Sequence, residues 1–179
     1  RSSRIDSSST VSPGLIMRLN FTSFSRPATG TPSPVTCLLS STAPAGVAMM
    51  KLEGKTAFIT GGGGGIGGGM AQAFAEKGMK LVLADIDLAH ARDQAAEFGD
   101  SAIAIALDVT SLDSWAAAKA AAYARFGQVD VLCNNAGVGG GGSMATLTER
   151  DWSWVLGVNL WGVIHGVQAF LPGLLEQGE

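Results

Sequence analysis

Thr56-Ala57-Phe58-Ile59-Thr60-Gly61-Gly62-Gly63-Gly64-Gly65-Ile66-Gly67-Gly68-Gly69-Met70-Ala71 decides how this chain folds. A short apolar run, Thr56 to Thr60, gives way to glycine and then to a helical pattern carrying Met70, Ala71, Phe74 and Ala75, which Gly78 stops. Strand, glycine turn and helix in that order form a place suited to a pyrophosphate. Glycines let the backbone come close to the phosphates, and the helix N-terminus offers unpaired N–H groups and the positive end of its dipole. The register is open, because Gly62, Gly64 and Gly67 satisfy the dinucleotide fingerprint and so do Gly63, Gly65 and Gly68. A low-complexity linker has the same composition, so the weight falls on the turn's position between a strand and a helix.

Outward from this turn the signals alternate. Lys80 to Ala84 reads as a strand, Leu88 to Phe98 as a helix and Ala102 to Leu107 as a strand. Ser111 to Phe126 reads as an Ala-rich helix closed by Gly127, and Val129 to Cys133 as a strand. Leu147 to Leu175 reads as one long helix, opened by a capping box of Thr148 with Asp151 and expected to kink or end at Pro172. The alternation predicts an α/β fold of three layers, a Rossmann-like doubly wound parallel sheet. Four strands are readable, and the chain is read as a fragment, its fold truncated at the C-terminal side.

Asp85 follows the second strand, eighteen residues beyond Gly67. A carboxylate there can accept hydrogen bonds from both ribose hydroxyls of NAD and repels the additional phosphate of NADP. No Lys or Arg follows closely, so NAD is the expected cofactor. Either Asp85 or Asp87 could instead cap the helix that starts near Leu88. We assign the cap to Asp87 and the ribose to Asp85.

Composition narrows the remaining classes. Of 179 residues, 46% are hydrophobic and 15% charged, enough apolar material for a core. A net charge of -3 offers no field for nucleic acid. Cys37 and Cys133 are too few for a disulfide framework and fit a reducing, cytoplasmic compartment. His90 and His165, without clustered Cys or carboxylates, give no metal-ligand set. No uninterrupted apolar run reaches the length of a membrane span, so no membrane partner is expected.

Residues 1–48 stand apart. They are rich in Ser, Thr and Pro, and carry Arg1, Arg4, Arg18 and Arg26 against one acid, Asp6. Three readings compete: an organellar transit peptide, a secretory signal ending near Ala43-Pro44-Ala45, and upstream sequence that is not natural protein, the real start being Met49 or Met50. The apolar stretch Val35 to Leu39 is too short and polar for the second, and the third is preferred. The expected organisation is therefore a disordered or non-native leader over 1–48 and an incomplete nucleotide-binding domain over 49–179.

From about Lys51 the chain resembles the short-chain dehydrogenase/reductase family. Four features carry the resemblance: Thr60-Gly61-x-x-x-Gly65-Ile66-Gly67 after the first strand, Asp108-Val109 after the third, Asn134-Asn135-Ala136-Gly137 after the fourth, and Val158-Asn159-Leu160 in the long helix. Asp108 alone could be a strand-end cap, and Asn134-Asn135-Ala136-Gly137 a plain turn. Their order on the expected elements is what makes them specific. The resemblance implies that Gly61, Gly65, Ile66 and Gly67 hold the pyrophosphate and that Asp108 and Val109 border the adenine. It implies that Asn135, Ala136 and Gly137 border the cofactor's central region, and that Asn159 is the catalytic asparagine, supporting a proton-relay water through a local helix distortion. It implies hydride transfer between nicotinamide and an alcohol or carbonyl substrate, and a homo-oligomer in the full-length protein.

The family's catalytic Ser and Tyr-x-x-x-Lys are expected beyond Glu179. Tyr123, the single tyrosine, has Gly127 four residues on, and Ser143 follows the fourth strand, so neither fills those roles. As it stands, the chain is not expected to catalyse, and it lacks the later strands and helices that would complete the sheet and stabilise it. Two other readings share this front half: a non-catalytic dinucleotide-binding module, and an epimerase or dehydratase that retains NAD. Val138 to Ser143 could border the substrate or be slack. Trp152, Trp154 and Trp161 are expected to be buried, in the core or at a subunit interface. His165 is expected at the helix surface or an interface, and Cys133 as a buried strand residue without a nucleophile's base.

Overall fold

The structure is a computed structural model and describes residues 51–143 and 145–178. The expected leader over 1–48 lies outside the described residues. Four strands, β1 (Thr56–Thr60), β2 (Lys80–Asp85), β3 (Ala102–Ala106) and β4 (Val131–Cys133), form one parallel sheet in the order β3-β2-β1-β4. Helices α1 (Gly65–Ala75), α2 (Leu88–Ala96) and α3 (Leu112–Phe126) connect successive strands. After β4 the chain enters α4 (Glu149–Leu156), passes through a π turn at Gly157–Trp161 and continues as α5 (Gly162–Gln177). This is the expected doubly wound arrangement.

Strand alternation divides the core into two layers. Ala57, Ile59, Leu81 and Leu83 face one side, where Ala71 of α1 and Ala95 of α2 cover them. Phe58, Val82 and Ala84 face the other, under Trp115, Ala118 and Ala122 of α3 and Phe170 of α5. The rings of Phe58 and Phe170 lie 4.8 Å apart, and Trp115 meets Phe170 edge-on at 6.2 Å. Burying each such side chain contributes about 1.5–3 kcal/mol relative to leaving it exposed, so these two layers fix the sheet and its helices.

Several boundaries differ from the sequence reading. The strand β4 begins at Val131 rather than Val129, because the Asp130 side chain turns in to receive Thr56 N (2.7 Å) and the Lys55 ammonium (3.3 Å). The helix α2 stops at Ala96, and a tight turn at Gly99–Ser101 leads into β3. Pro172 does not end the last helix, which runs on to Gln177. Proline removes one backbone donor there, but Phe170 is fully buried on the sheet and Lys119 Nζ of α3 donates to Ala169 O at 2.6 Å, so tertiary packing carries the helix through.

Trp152, Trp154 and Trp161 are not buried in the core of this chain. Trp154 is 52% and Trp161 55% exposed, and Trp152, Leu156, Leu160, Val167, Leu171 and Leu175 join them in an uncovered apolar face along α4 and α5. The continuous helix Glu149–Gln177 is also, by length and composition alone, long and apolar enough to cross a membrane, with a mean hydropathy of 1.3 in its most apolar window. The sequence reading found no such span because Asn159, His165 and glycines interrupt the run. In the folded chain Gly162, Gly166 and Phe170 dock this helix on the sheet.

Candidate functional site

The carboxyl ends of the four strands bring the expected residues into one row. Open α/β sheets bind ligands along this edge. The turn after β1 needs glycine for specific reasons. Gly61 (φ +65°) and Gly65 (φ +56°) adopt left-handed backbone. A Cβ on Gly67 would collide with the Gly61 carbonyl oxygen, and one on Gly62 would come within 2.9 Å of Leu83 Cα. Gly61, Gly65 and Gly67 are thus positions where the backbone itself calls for glycine. Helix α1 begins at Gly65 without a side-chain cap and without an acidic residue in its first turn, so its N-terminal end is left open for an anion. Ile66 is exposed beside it.

The β2 end is tied to this turn. Gly63 N donates to Asp85 Oδ2 at 2.9 Å, and Asp87 N donates to Asp85 Oδ1 at 3.0 Å. Asp87 caps α2 through Ala89 N and His90 N, as expected. Asp85 therefore lies between the glycine turn and α2 with a fixed carboxylate. At the end of β3, Asp108 Oδ1 accepts from Thr110 N (2.9 Å) and Thr110 Oγ1 (2.7 Å), and Asp108 N donates to Ser114 Oγ at 3.0 Å. The Val109 side chain is buried, and a Cβ on Gly162 would press against it. Its carbonyl accepts from Trp115 Nε1 at 2.9 Å and lies 3.2 Å from His165 Nδ1.

Asn135 and Ala136 close the other side of the turn. Thr60 Oγ1 accepts from Asn135 N and Ala136 N, each at 2.9 Å, and donates to Cys133 O at 3.2 Å. Asn135 Nδ2 in turn donates to Thr60 O at 2.9 Å and to Gly61 O at 3.3 Å. Gly137 is exposed at the strand end, close to Asn159. Asn159 stands inside the π turn and holds Val138 by both of its backbone groups. Its Oδ1 accepts from Val138 N and its Nδ2 donates to Val138 O, each at 2.8 Å. The helix distortion implied by the resemblance is therefore present at the expected residue. Such π turns concentrate at functional sites.

Gly61, Gly65, Ile66, Gly67 and Asp85 are brought together on one side of the row, and Asn135, Ala136, Gly137 and Asn159 on the other. Asp108 and Val109 lie just beyond the outer strand β3. Thr60, Ser114 and His165 hold these pieces in place, and the sequence reading gave none of them such a role. For Thr60 the signal was available, a polar β-branched residue closing an apolar strand directly before the turn. Burial pushes the Cys133 thiol up to about 11, in keeping with an inert strand residue. Among the described residues no group of His, Cys, Asp and Glu could hold a metal ion.

The family model described as short chain dehydrogenase matches residues 55–179. The chain belongs to the short-chain dehydrogenase family. Among curated members it is 42% identical over 120 residues to galactitol 2-dehydrogenase of Agrobacterium fabrum, covering 67% of this chain and 47% of that one. It is 37% identical over 129 residues to sorbitol dehydrogenase of Cereibacter sphaeroides, covering 72% and 50%. The chain thus spans about half the length of these relatives. Among solved short-chain dehydrogenase structures it superposes on a 3-ketoacyl-(acyl-carrier-protein) reductase from Brucella melitensis complexed with NADH. The TM-score is 0.70 at 41% identity, over 71% of this chain and 53% of that one. A short-chain dehydrogenase/reductase from Burkholderia phymatum in complex with NAD gives a TM-score of 0.70 at 42% identity, over 73% and 48%.

Proposed function

We propose that the whole protein is an NAD-dependent oxidoreductase that moves a hydride between the nicotinamide and a small alcohol or carbonyl substrate. The observation that carries this reading is the Gly61–Gly67 turn running into the uncapped N-terminus of α1, with the Asp85 carboxylate fixed beside it. The residues fit a dinucleotide: Gly61, Gly65, Ile66 and Gly67 present backbone N–H groups to a pyrophosphate, and the glycine cradle is one that side chains would fill. Bound there, the dinucleotide supplies the hydride donor or acceptor. Asp85 accepts from the ribose hydroxyls and disfavours a 2′-phosphate, which makes NAD the preferred form. Asp108 and Val109 border the adenine end, and Asn135, Ala136 and Gly137 border the middle.

Asn159 acts by position, opening the helix and pinning Val138 at the edge where a substrate oxygen would lie. Proton transfer needs a Ser and a Tyr-x-x-x-Lys that residues 1–179 do not contain. Tyr123 is followed by Gly127, and its hydroxyl lies beside Gly173 in the packing of α3 on α5, where burial and the charges of Glu176 and Asp130 raise its pKa, the opposite of what a general acid/base requires. The chain by itself therefore binds without turning over. The exposed face of α4 and α5 is the surface through which full-length copies self-associate.

Titration of the chain with NADH and NADPH, read by nicotinamide fluorescence, tests this. NADH binds more tightly, and Asp85→Ser weakens it by about tenfold or more, as expected for losing a charge-assisted hydrogen bond of about 1.5–3 kcal/mol. Equal affinity for both dinucleotides, or no binding of either, overturns the reading.

A further inference from the structure

The segment after β3 is tied to the β2 end. Ala106 pairs with Asp85 in the parallel register, and Leu107 N donates to Asp85 O at 2.8 Å. A dinucleotide whose ribose meets Asp85 therefore extends its adenosine half toward Asp108–Thr110. This inference rests on the dinucleotide-binding function proposed above.

That segment is held from two helices. Ser114 and Trp115 of α3 bond to it locally, Ser114 Oγ accepting from Asp108 N and Trp115 Nε1 donating to Val109 O. From α5, fifty-six positions away in sequence, His165 Nδ1 lies 3.2 Å from the same Val109 carbonyl. A carbonyl oxygen only accepts, so His165 carries its proton on Nδ1 and donates. The two lone pairs of Val109 O are thus shared between α3 and α5. Gly162, one turn earlier on α5, lets the helix approach so closely that a Cβ there would meet Val109 Cγ2 at 2.7 Å. Asn159, six residues before His165, binds Val138 at the far side of the site. One continuous helix therefore grips both flanks of the row, Val109 on one side and Val138 on the other.

We infer that His165 is a positioning residue for dinucleotide binding: its hydrogen bond to Val109 O registers the adenosine-side segment against the helix that carries Asn159. A packing role alone would need only the ring's bulk. A positioning role needs the donor at Nδ1, and the two requirements separate experimentally.

The test compares His165→Leu, His165→Asn and His165→Gln in the full chain, with NADH and ADP-ribose as probes in calorimetric titrations. Asn can place an amide N–H near the position of Nδ1, Leu keeps bulk without a donor, and Gln carries its amide too far out to reach Val109 O. H165L and H165Q are expected to weaken both ligands by about fivefold, the factor one net hydrogen bond supplies, while H165N stays within about twofold of the parent. Should H165L fail to fold, H165Q carries the comparison. Unchanged affinity in H165Q, or a loss in H165N equal to that in H165Q, overturns the inference while leaving dinucleotide binding intact. If the parent chain binds neither probe, the proposed function fails, and this inference with it.

Discussion

Thr60→Val is the perturbation whose size the structure fixes best. The substitution keeps the shape and β-branching of a residue that is 1% exposed and removes only the hydroxyl. Thr60 Oγ1 makes three hydrogen bonds, but their loss is unequal. Asn135 N keeps a second acceptor in Cys133 O at 3.0 Å, and Cys133 O keeps that donor. Among the described residues Ala136 N has no other acceptor, so it is orphaned in a half-buried turn. One orphaned donor costs about 1–3 kcal/mol and the weakened pairs add a few tenths more, giving about 2 kcal/mol, roughly a thirtyfold change in the folded-to-unfolded ratio. Urea unfolding followed by circular dichroism reads this as a midpoint lowered by about 1 M at a slope of about 2 kcal/mol per M. Thr60→Ser retains the oxygen and recovers most of the loss. A valine variant within about 0.5 kcal/mol of the parent, or a serine variant no better than valine, refutes the latch between β1 and the Asn135–Ala136 loop.

Other outcomes follow from the same geometry. Asn159→Ala removes both bonds to Val138, so amide exchange at Val138 speeds up by about tenfold or more while exchange in β1 and β2 is unchanged; equal protection at Val138 in both proteins contradicts the bracket. Cys133 has a folded pKa raised to about 11, so the thiol form is the one the fold favours. Its contribution to stability is complete below the unfolded thiol pKa and is lost as pH rises from there through about 11, and unfolding midpoints measured from pH 8 to 11 should fall. At pH 8 the raised pKa keeps this thiol protonated, so peptide mapping after brief iodoacetamide treatment is expected to find Cys133 unlabelled in the native chain; rapid native labelling contradicts the raised pKa.

The strands were legible because a parallel sheet covered on both faces demands apolar runs, and Thr56–Thr60 and Lys80–Asp85 supply them. That Asp87 rather than Asp85 caps α2 was legible from spacing, and the hydrogen bonds of Asp87 to Ala89 N and His90 N respect it. The register of the glycine turn was not legible, because identical residues carry no phase. The structure adds where the backbone needs glycine, at the positive φ of Gly61 and Gly65 and at the approach of Gly67 to the Gly61 carbonyl. Pro172 does not end the helix, because its local breaking power is outweighed when Phe170, two residues earlier, is locked between α3 and the sheet. For Trp152, Trp154 and Trp161 apolarity alone does not choose between the core and a subunit interface; among the described residues α4 and α5 have no core neighbour on that face. The roles of Thr60 and His165 depend on partners 75 and 56 positions away, a relation that no local pattern encodes.

The first turn and a half of α1 is nearly bare backbone, with Ile66 the only side chain between Gly61 and Gly69. Gly69 meets nothing within 4 Å where a Cβ would stand, so it is there without steric need and makes the helix start softer than packing requires. Glycines lose more freedom on ordering than any other residue. A phosphate group captured here must stiffen that stretch as it binds. The calorimetric signature is association driven by enthalpy and opposed by entropy, and Gly69→Ala would shift part of that ordering from the encounter with ligand to the folding of the chain.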